Sequence, residues 1–407
     1  MFFEENKVFG SDGRSNYRIP SLIVTNEGNV LAFCSNRLET VEDHADEIDL
    51  VYAIKRPGES FSEVRTLVHR DGWISNIGCA VYDDTVGCAI IFFRRKPVAR
   101  DEFKKYTETE LSQLEMKRLE TLKIAEKDGI TEGSFVLVSE DGGETFTESK
   151  TDVTPTFFEH IDGTSIMLED NTHGASHGIR LRHGKYAGRL LCPARTVVGE
   201  YNDWIEIRKH VYNNAIYSDD HGKSWKVSKP VQIGTGEGTL IERADGSILY
   251  NSRAYFADGK RYMAVSRNGG ESYGEFSTHA FLREETHIGC NASFLRVELD
   301  DIADKSALPE DALDLTVFCN PRADSRRRMT LCVSFDSGEN FREAQVVFEG
   351  QCAYSSLDYD KKSGHFFLLY ERGSEKDEYN PYAEGLYVAE FDIEWLLGKK
   401  ADRSFNT

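Results

Sequence analysis

One turn recurs along this chain. The pattern S-x-D-x-G-x-x-[WFY] stands at Ser139–Phe146, Ser218–Trp225 and Ser334–Phe341. A variant with Asn268 in place of the aspartate lies at Ser266–Tyr273, and a worn copy at Ile54–Phe61 keeps only the glycine and the aromatic. The physics of one copy is readable. Ser and Asp side chains bond nearby backbone N–H groups, Gly supplies a positive φ, and the aromatic packs the turn against the strand that follows. A single copy is a common hairpin turn. Starts spaced 85, 79, 48 and 68 residues apart describe a repeated supersecondary unit.

Between the turns run short apolar segments that read as strands: Leu22–Cys34, Asp49–Ile54, Val86–Phe93, Ser134–Val138, Arg189–Pro193, Ser247–Asn251, Leu315–Cys319 and Phe366–Tyr370. Strands this short, punctuated by Gly and Asp turns, suit radially arranged blades, so the expected fold is all-β and a single domain over residues 1–407. Residues 101–127 break the pattern. They hold no Gly or Pro and consist of strong helix formers, so a helical insertion is expected there. Its Leu111, Leu114, Met116, Leu119, Leu122 and Ile124 form a partial stripe that would pack on the domain or on a second subunit.

A net charge of −20 argues against broad attraction to nucleic acid or an anionic membrane, so an anionic ligand must be held locally. The eight cysteines are scattered with no C-x-x-C pair and read as reduced core thiols. The first residues carry no basic n-region or long apolar stretch, and nowhere do 18 apolar residues run together; a cytoplasmic location without membrane insertion is the expectation. Three arginines sit beside apolar, strand-like sequence: Arg18 in YRIPSL, Arg253 in LYNSRAY and Arg327 in RRRMTLCVS. A buried guanidinium needs an anionic partner, and Arg suits a bidentate grip on a carboxylate.

The order of these motifs resembles that of the non-viral sialidases (neuraminidases) from Tyr17 to about Phe391. YRIP is similar to the family's F/Y-R-I-P signature, and the repeated turns look like its Asp-boxes, or BNR repeats. EDHADEIDLV (residues 42–51), GASHGIRL (174–181) with GRLLCPA, EGTLIERADGSILYNSR (237–253), AYSSL and LLYERG resemble further family segments in the family's order. The resemblance implies a six-bladed β-propeller of antiparallel four-stranded blades. It also implies a retaining exo-α-sialidase that cleaves terminal sialic acid from oligosaccharides or glycoconjugates without cofactor or metal.

Roles follow by position. Arg18, Arg253 and Arg327 would clamp the substrate carboxylate, Arg327 being chosen because it lies seven residues before Ser334. Tyr354 would be the nucleophile, Glu237 its base, Asp43 the acid/base, Glu371 the orienter of Arg18, and Arg37 a pocket wall. One residue more than the family pattern between Asp43 and Asp49 leaves Asp46 as a second candidate for the acid. The same fold and clamp would also serve another ulosonic or uronic acid, transfer to a second sugar, or binding without turnover.

Overall fold

Apolar runs such as residues 30–34 and 89–93 are too continuous to alternate, which marks strands covered on both faces. The computed structural model bears this out; it describes residues 1–41, 47–98, 107–149, 153, 171–173, 176–197, 204–374 and 380–398. Its strands fall into six antiparallel groups. The first holds Ser15–Val24, Val30–Leu38, Ile48–Lys55 and Arg65–Val68. The second holds Trp73–Asp83, Cys88–Pro97, Gly133–Ser139 and Thr147–Glu148. In the third, Asn171–His173 and Ile179–Arg180 both pair with Leu190–Val197, followed by Val211–Ser218 and Lys226–Val227. The fourth runs through Thr235–Glu242, Ile248–Ala254, Lys260–Ser266 and Gly274–Arg283.

The long strand Arg342–Asp360 belongs to two groups. Its first half completes the fifth group beside Arg327–Ser334, Asp314–Pro321 and Ser293–Glu298, and its second half opens the sixth by pairing with His365–Arg372. Gly385–Asp392 follows, and the N-terminal strand Phe3–Gly10 pairs with it to finish the sixth group. The leading strands of the groups pack side by side in cyclic order, and the last meets the first. Six apolar layers result, one between each neighbouring pair. Leu31 and Phe33 face the second group, while Val30, Ala32 and Cys34 on the same strand face the sixth.

The repeated turns tie the groups together. In each of the four recognisable copies the serine hydroxyl bonds the Asp or Asn side chain and accepts the backbone N–H of the glycine four residues on, at 2.8–3.0 Å. The Asn268 variant keeps the geometry, since Oδ1 still accepts from Ser272 N at 3.1 Å. Each glycine has a positive φ and leans on the second strand of the preceding group. A Cβ on Gly143, Gly222, Gly270 or Gly338 would come within 2.2–3.1 Å of Leu31, Ile90, Leu191 or Leu249 respectively. The closing aromatic often crosses the same seam, as where Trp225 meets Phe92 edge-on at 4.7 Å.

Two expectations change in detail. Leu22–Cys34 is two strands, because Thr25 N donates to Asn29 O at 2.9 Å and Gly28, at φ +90°, turns the chain between them. Residues 101–106 lie outside the described residues; within the described part of the insertion a helix runs over Glu108–Asp128, begun by a Thr107/Glu110 capping box and followed by Gly129 at φ +68°. Its inward face is Leu111, Thr121, Leu122 and Ala125, whereas Met116, Leu119 and Ile124 are exposed. A turn of 3.6 residues carries those three round to the outer side. All eight cysteines are buried and free.

Candidate active site

Four of the leading strands carry a register shift at the same end of the ring: at Arg18/Ser21, Ile77/Ala80, Thr235/Gly238 and Cys352/Ser355. A bulge bends its strand and re-aims a side chain that would otherwise point into an inter-group layer. Glu237 and Tyr354 lie within such bulges, and Arg18 sits at the edge of another. Ile19, next to Arg18, is held at φ +64°, an unfavourable conformation for a β-branched residue. What holds it is Glu371, whose Oε1 accepts both Ile19 N (2.9 Å) and Arg18 Nε (2.8 Å). The other oxygen, Oε2, accepts Tyr354 N at 3.1 Å, so one buried carboxylate fixes an arginine and the backbone of the tyrosine together.

Tyr354 is 6% exposed, and its hydroxyl donates to Glu237 Oε1 at 2.6 Å. Arg253 Nη1 donates to that hydroxyl oxygen at 2.8 Å and to Glu237 Oε2 at 2.6 Å, closing a three-membered network. Burial pushes the Tyr354 hydroxyl well above its ordinary range, with Arg253 opposing and Glu237 reinforcing the shift. Burial works against an ionised Glu237 as well, but Arg253, then Arg195 and the tyrosine hydrogen bond, outweigh it and hold its pKa at about 2. The resting proton therefore sits on the tyrosine, hydrogen-bonded to a bare carboxylate. Space explains the glycines either side of Glu237. A Cβ on Gly236 would stand 2.8 Å from Arg253 Cδ, and one on Gly238 2.2 Å from Tyr250 Cε1.

The third arginine beside the tyrosine is Arg326, not the expected Arg327. Arg326 lies with its guanidinium 5.7 Å from the Tyr354 ring centre and donates to Glu285 Oε1 at 2.9 Å, whereas the Arg327 side chain is exposed. The cause is local. Arg328 has φ +63°, so the extended conformation and its alternation of faces break just before Met329, and the register shift there, with its extra residue on the partner strand, leaves Arg327 pointing outwards. Arg37 is buried in the register pair Asn16↔Arg37, on the same face of the hairpin as Arg18, and donates to Val41 O at 2.6 Å. Asp43 and Asp46 lie outside the described residues.

Several contributors carried no motif. Arg195 follows directly on GRLLCPA and reaches within 3.8 Å of Glu237 Oε1; its place on a strand next to that motif was the available signal. Tyr382 stacks on Arg18, 3.7 Å from ring centre to guanidinium, from a loop with no recognisable pattern. Behind Arg253, the fully buried Arg261 and Glu284 pair at 2.5 Å, and Glu284 also accepts Ala254 N (2.8 Å) and Cys290 N (3.1 Å). This network braces both the Arg253 strand and the segment that packs on Tyr354.

Chemically, the arrangement offers a protonated phenol with a proton acceptor in contact, surrounded by guanidinium groups from the first, fourth and fifth groups of strands. Such a site can grip an anion and deliver an oxygen nucleophile beside it.

Known proteins show the same shape. A sialidase of Micromonospora viridifaciens is 31% identical over 225 residues, 55% of this chain and 31% of that protein, so the chain spans under a third of that relative. An exo-alpha-sialidase of Aspergillus fumigatus is 25% identical over 424 aligned positions, covering 96% of this chain and 87% of that one. Among solved structures, the intramolecular trans-sialidase of Ruminococcus gnavus, in complex with oseltamivir carboxylate, superposes with a TM-score of 0.69 at 15% identity. That match covers 97% of this chain and 98% of the other. The BNR repeat-like domain family matches residues 118–367, a span that takes in all four recognisable repeat turns. By that match and by its sialidase homologues, the chain belongs to the BNR repeat-like domain family and is related to the sialidases.

Proposed function

We propose that the chain is a six-bladed β-propeller, one domain, and a retaining exo-α-sialidase that hydrolyses terminal sialic acid from glycoconjugates through a tyrosyl-enzyme intermediate. The observation that carries this reading is the Tyr354 hydroxyl held 2.6 Å from an ionised Glu237 and 2.8 Å from Arg253. A sugar whose anomeric carbon already bears a carboxylate repels an anionic nucleophile, and a neutral phenol avoids that repulsion.

In the proposed reaction Arg18, Arg253 and Arg326 bind the substrate carboxylate and fix the ring. Tyr354 Oη attacks the anomeric carbon, its proton passes to Glu237, and the glycosidic oxygen leaves with a proton from Asp43. Asp43 then takes a proton from water, the hydroxide attacks the same carbon from the opposite side, and Tyr354 departs and recovers its proton from Glu237. Two inversions give net retention. Glu371 acts through Arg18 and the Tyr354 backbone, and Arg37 lines the pocket.

The test is release of methylumbelliferone from methylumbelliferyl N-acetylneuraminic acid. Wild-type turnover, with a loss of on the order of a thousandfold or more in Tyr354→Phe, is expected. Near wild-type kcat in Tyr354→Phe would sink the mechanism, and an inactive wild type would sink the sialidase reading.

A further inference from the structure

A bulge aims Tyr354, and a bulge leaves backbone groups that the strand ladder no longer pairs. Along the strand Arg342–Asp360 the register passes from Cys352↔Arg372 to Ser355↔Tyr370, so Ala353 and Tyr354 together oppose the single residue Glu371. Three amides at the bulge are held individually. Cys352 N donates to Arg326 O at 2.9 Å, Tyr354 N to Glu371 Oε2 at 3.1 Å, and Ser355 N to Asn291 Oδ1 at 3.3 Å. The first two partners belong to residues of the proposed reaction. The third, Asn291, does not.

Asn291 is 0% exposed, so it is shut off from a ligand in the pocket. Its neighbours fix it on both sides. Cys290 N donates to Glu284 Oε2 at 3.1 Å, and Cys290 O accepts from Arg261 Nη1 at 2.6 Å, the same fully buried pair that braces the Arg253 strand. On the other side Ser293 enters the fifth group, where it pairs with Cys319. The Ser293 hydroxyl lies 2.6 Å from Ser355 Oγ, and Ser355 Oγ donates to Cys319 O at 3.2 Å. With the Ser355 proton committed to that carbonyl, Ser293 is the donor of the pair. Cys290 packs on Ala353 and Tyr354. The segment Cys290–Ser293 therefore meets the back of the bulge with an amide acceptor, a hydroxyl donor and an apolar contact.

We propose that Asn291 is a positioning residue for the nucleophile: by accepting Ser355 N it holds the Tyr354 bulge against the buried support of Arg253, with Ser293 assisting through the Ser355 hydroxyl. The inference rests on the sialidase reading. Arg253 fixes the tyrosine at its hydroxyl, 2.8 Å away, and Asn291 fixes it at its backbone, so both ends are tied to one rigid unit. An attacking oxygen tolerates little displacement, since a shift of about 1 Å caused by a change away from the chemistry can cost on the order of a hundredfold in rate. Without Asn291 Oδ1 the buried Ser355 N–H loses its acceptor, and the bulge relaxes in a way that leaves Tyr354 less well aimed at Glu237.

The experiment measures kcat on the methylumbelliferyl glycoside, well below each melting temperature, together with the inhibition constant of free N-acetylneuraminic acid. The proteins are wild type, Asn291→Ala, Asn291→Asp, Ser293→Ala and Asn29→Ala. Asn29 is the comparison for a lost buried hydrogen bond: it is 8% exposed and donates to Gly142 O at 3.0 Å, at the other end of the first hairpin from Arg18. Asn291→Ala should lower kcat about tenfold or more, with the inhibition constant within about twofold of wild type because the arginines that hold the free acid are untouched. Asn291→Asp keeps an oxygen acceptor of the same shape and should return most of that loss, and Ser293→Ala should lower kcat about threefold. Asn29→Ala should lower the melting temperature and leave kcat level. Wild-type kcat in Asn291→Ala, an Asn291→Asp enzyme as slow as Asn291→Ala, an equal loss in Asn29→Ala, or an inhibition constant that rises in step with the fall in kcat overturns this proposal alone. Should Asn291→Ala not fold, Ser293→Ala decides, and wild-type kcat there overturns the proposal. A wild type inactive on the glycoside overturns it together with the sialidase reading.

Discussion

Two neighbouring arginines separate the proposed clamp from its surroundings. Arg326→Ala removes a guanidinium beside Tyr354 and leaves Glu285 without its 2.9 Å partner, so kcat/KM on the aryl glycoside should fall by on the order of a hundredfold or more, with KM raised. Arg327→Ala removes an exposed side chain and should stay within about twofold of wild type; the reverse result would place the clamp on Arg327. The sequence led to Arg327 whereas the structure sets Arg326 beside Tyr354, because the positive φ at Arg328 that breaks the alternation of faces is invisible in a spacing count. Arg18, Glu237, Arg253, Tyr354 and Glu371 were legible because each sits in a compact motif. Tyr382 and Glu285 were not, since their roles depend on loops brought together only by the closed ring. The pKa of Glu237 gives a second test. Its folded value of about 2 lies below the ordinary 4.5, so its ionised form stabilises the fold fully above 4.5, and that contribution is lost as pH falls through about 2. The stability gap between wild type and Glu237→Gln, from urea midpoints, should therefore narrow by on the order of 2 kcal/mol between about pH 6 and about pH 3. A gap that widens would mean that Glu237 is not held ionised by its arginines.

At the scale of elements, the repeated turn was the most legible feature, down to the serine and aspartate hydrogen bonds. Its second role was hidden: the glycine also touches the preceding group of strands, a contact between segments far apart in sequence. The two roles separate by mutation. Gly222→Ala must hold alanine at φ +80° and place a Cβ 2.2 Å from Ile90 Cδ1, a combined cost of about 2–3 kcal/mol. Gly58→Ala, in the worn copy, meets φ +77° but nothing within 4 Å, and should cost about 1 kcal/mol. Urea midpoints should rank wild type, Gly58→Ala, Gly222→Ala in falling order while kcat on the aryl glycoside stays level; equal losses would mean that the seam contact contributes nothing. The segments read as strands lie within a few residues of observed ones because both-face burial makes their apolar runs continuous, whereas strands such as Thr235–Glu242 and Gly274–Arg283, rich in glycine or polar residues, were not picked out. The Leu22–Cys34 break was missed although Asn26, Gly28 and Asn29 are turn formers, because the turn Thr25–Asn29 is short and the apolar runs on both sides of it read as one segment.

At the scale of the whole molecule, the site depends on how the ring is closed. Arg18 belongs to the first group of strands, while Tyr354 and Glu371 belong to the sixth, which is completed by Phe3–Gly10 pairing with Gly385–Asp392. The sequence implies a ring through its repeats and its resemblance, but no motif marks which strand seals it, because the sealing contact joins the two ends of the described fold. The seal is specific. A Cβ on Gly385, at φ +105°, would stand 1.9 Å from Phe9 O, and Glu5 accepts from both Tyr370 and Arg372. Phe9 is itself fully buried in the layer between the sixth and first groups. Deleting residues 1–10 thus exposes the edge of Gly385–Asp392, opens that layer and loosens the seam that Arg18–Glu371 must span at 2.8 Å. The truncated protein should lose several kcal/mol of stability, from about 2–3 kcal/mol for Phe9 alone plus the strand pairing. It should also lose kcat/KM at temperatures well below its melting point, where a dispensable N-terminal strand would leave activity intact. A truncation that lowers Tm but keeps wild-type kcat/KM in the remaining folded protein would show that the Arg18–Glu371–Tyr354 unit holds its geometry without the closing strand.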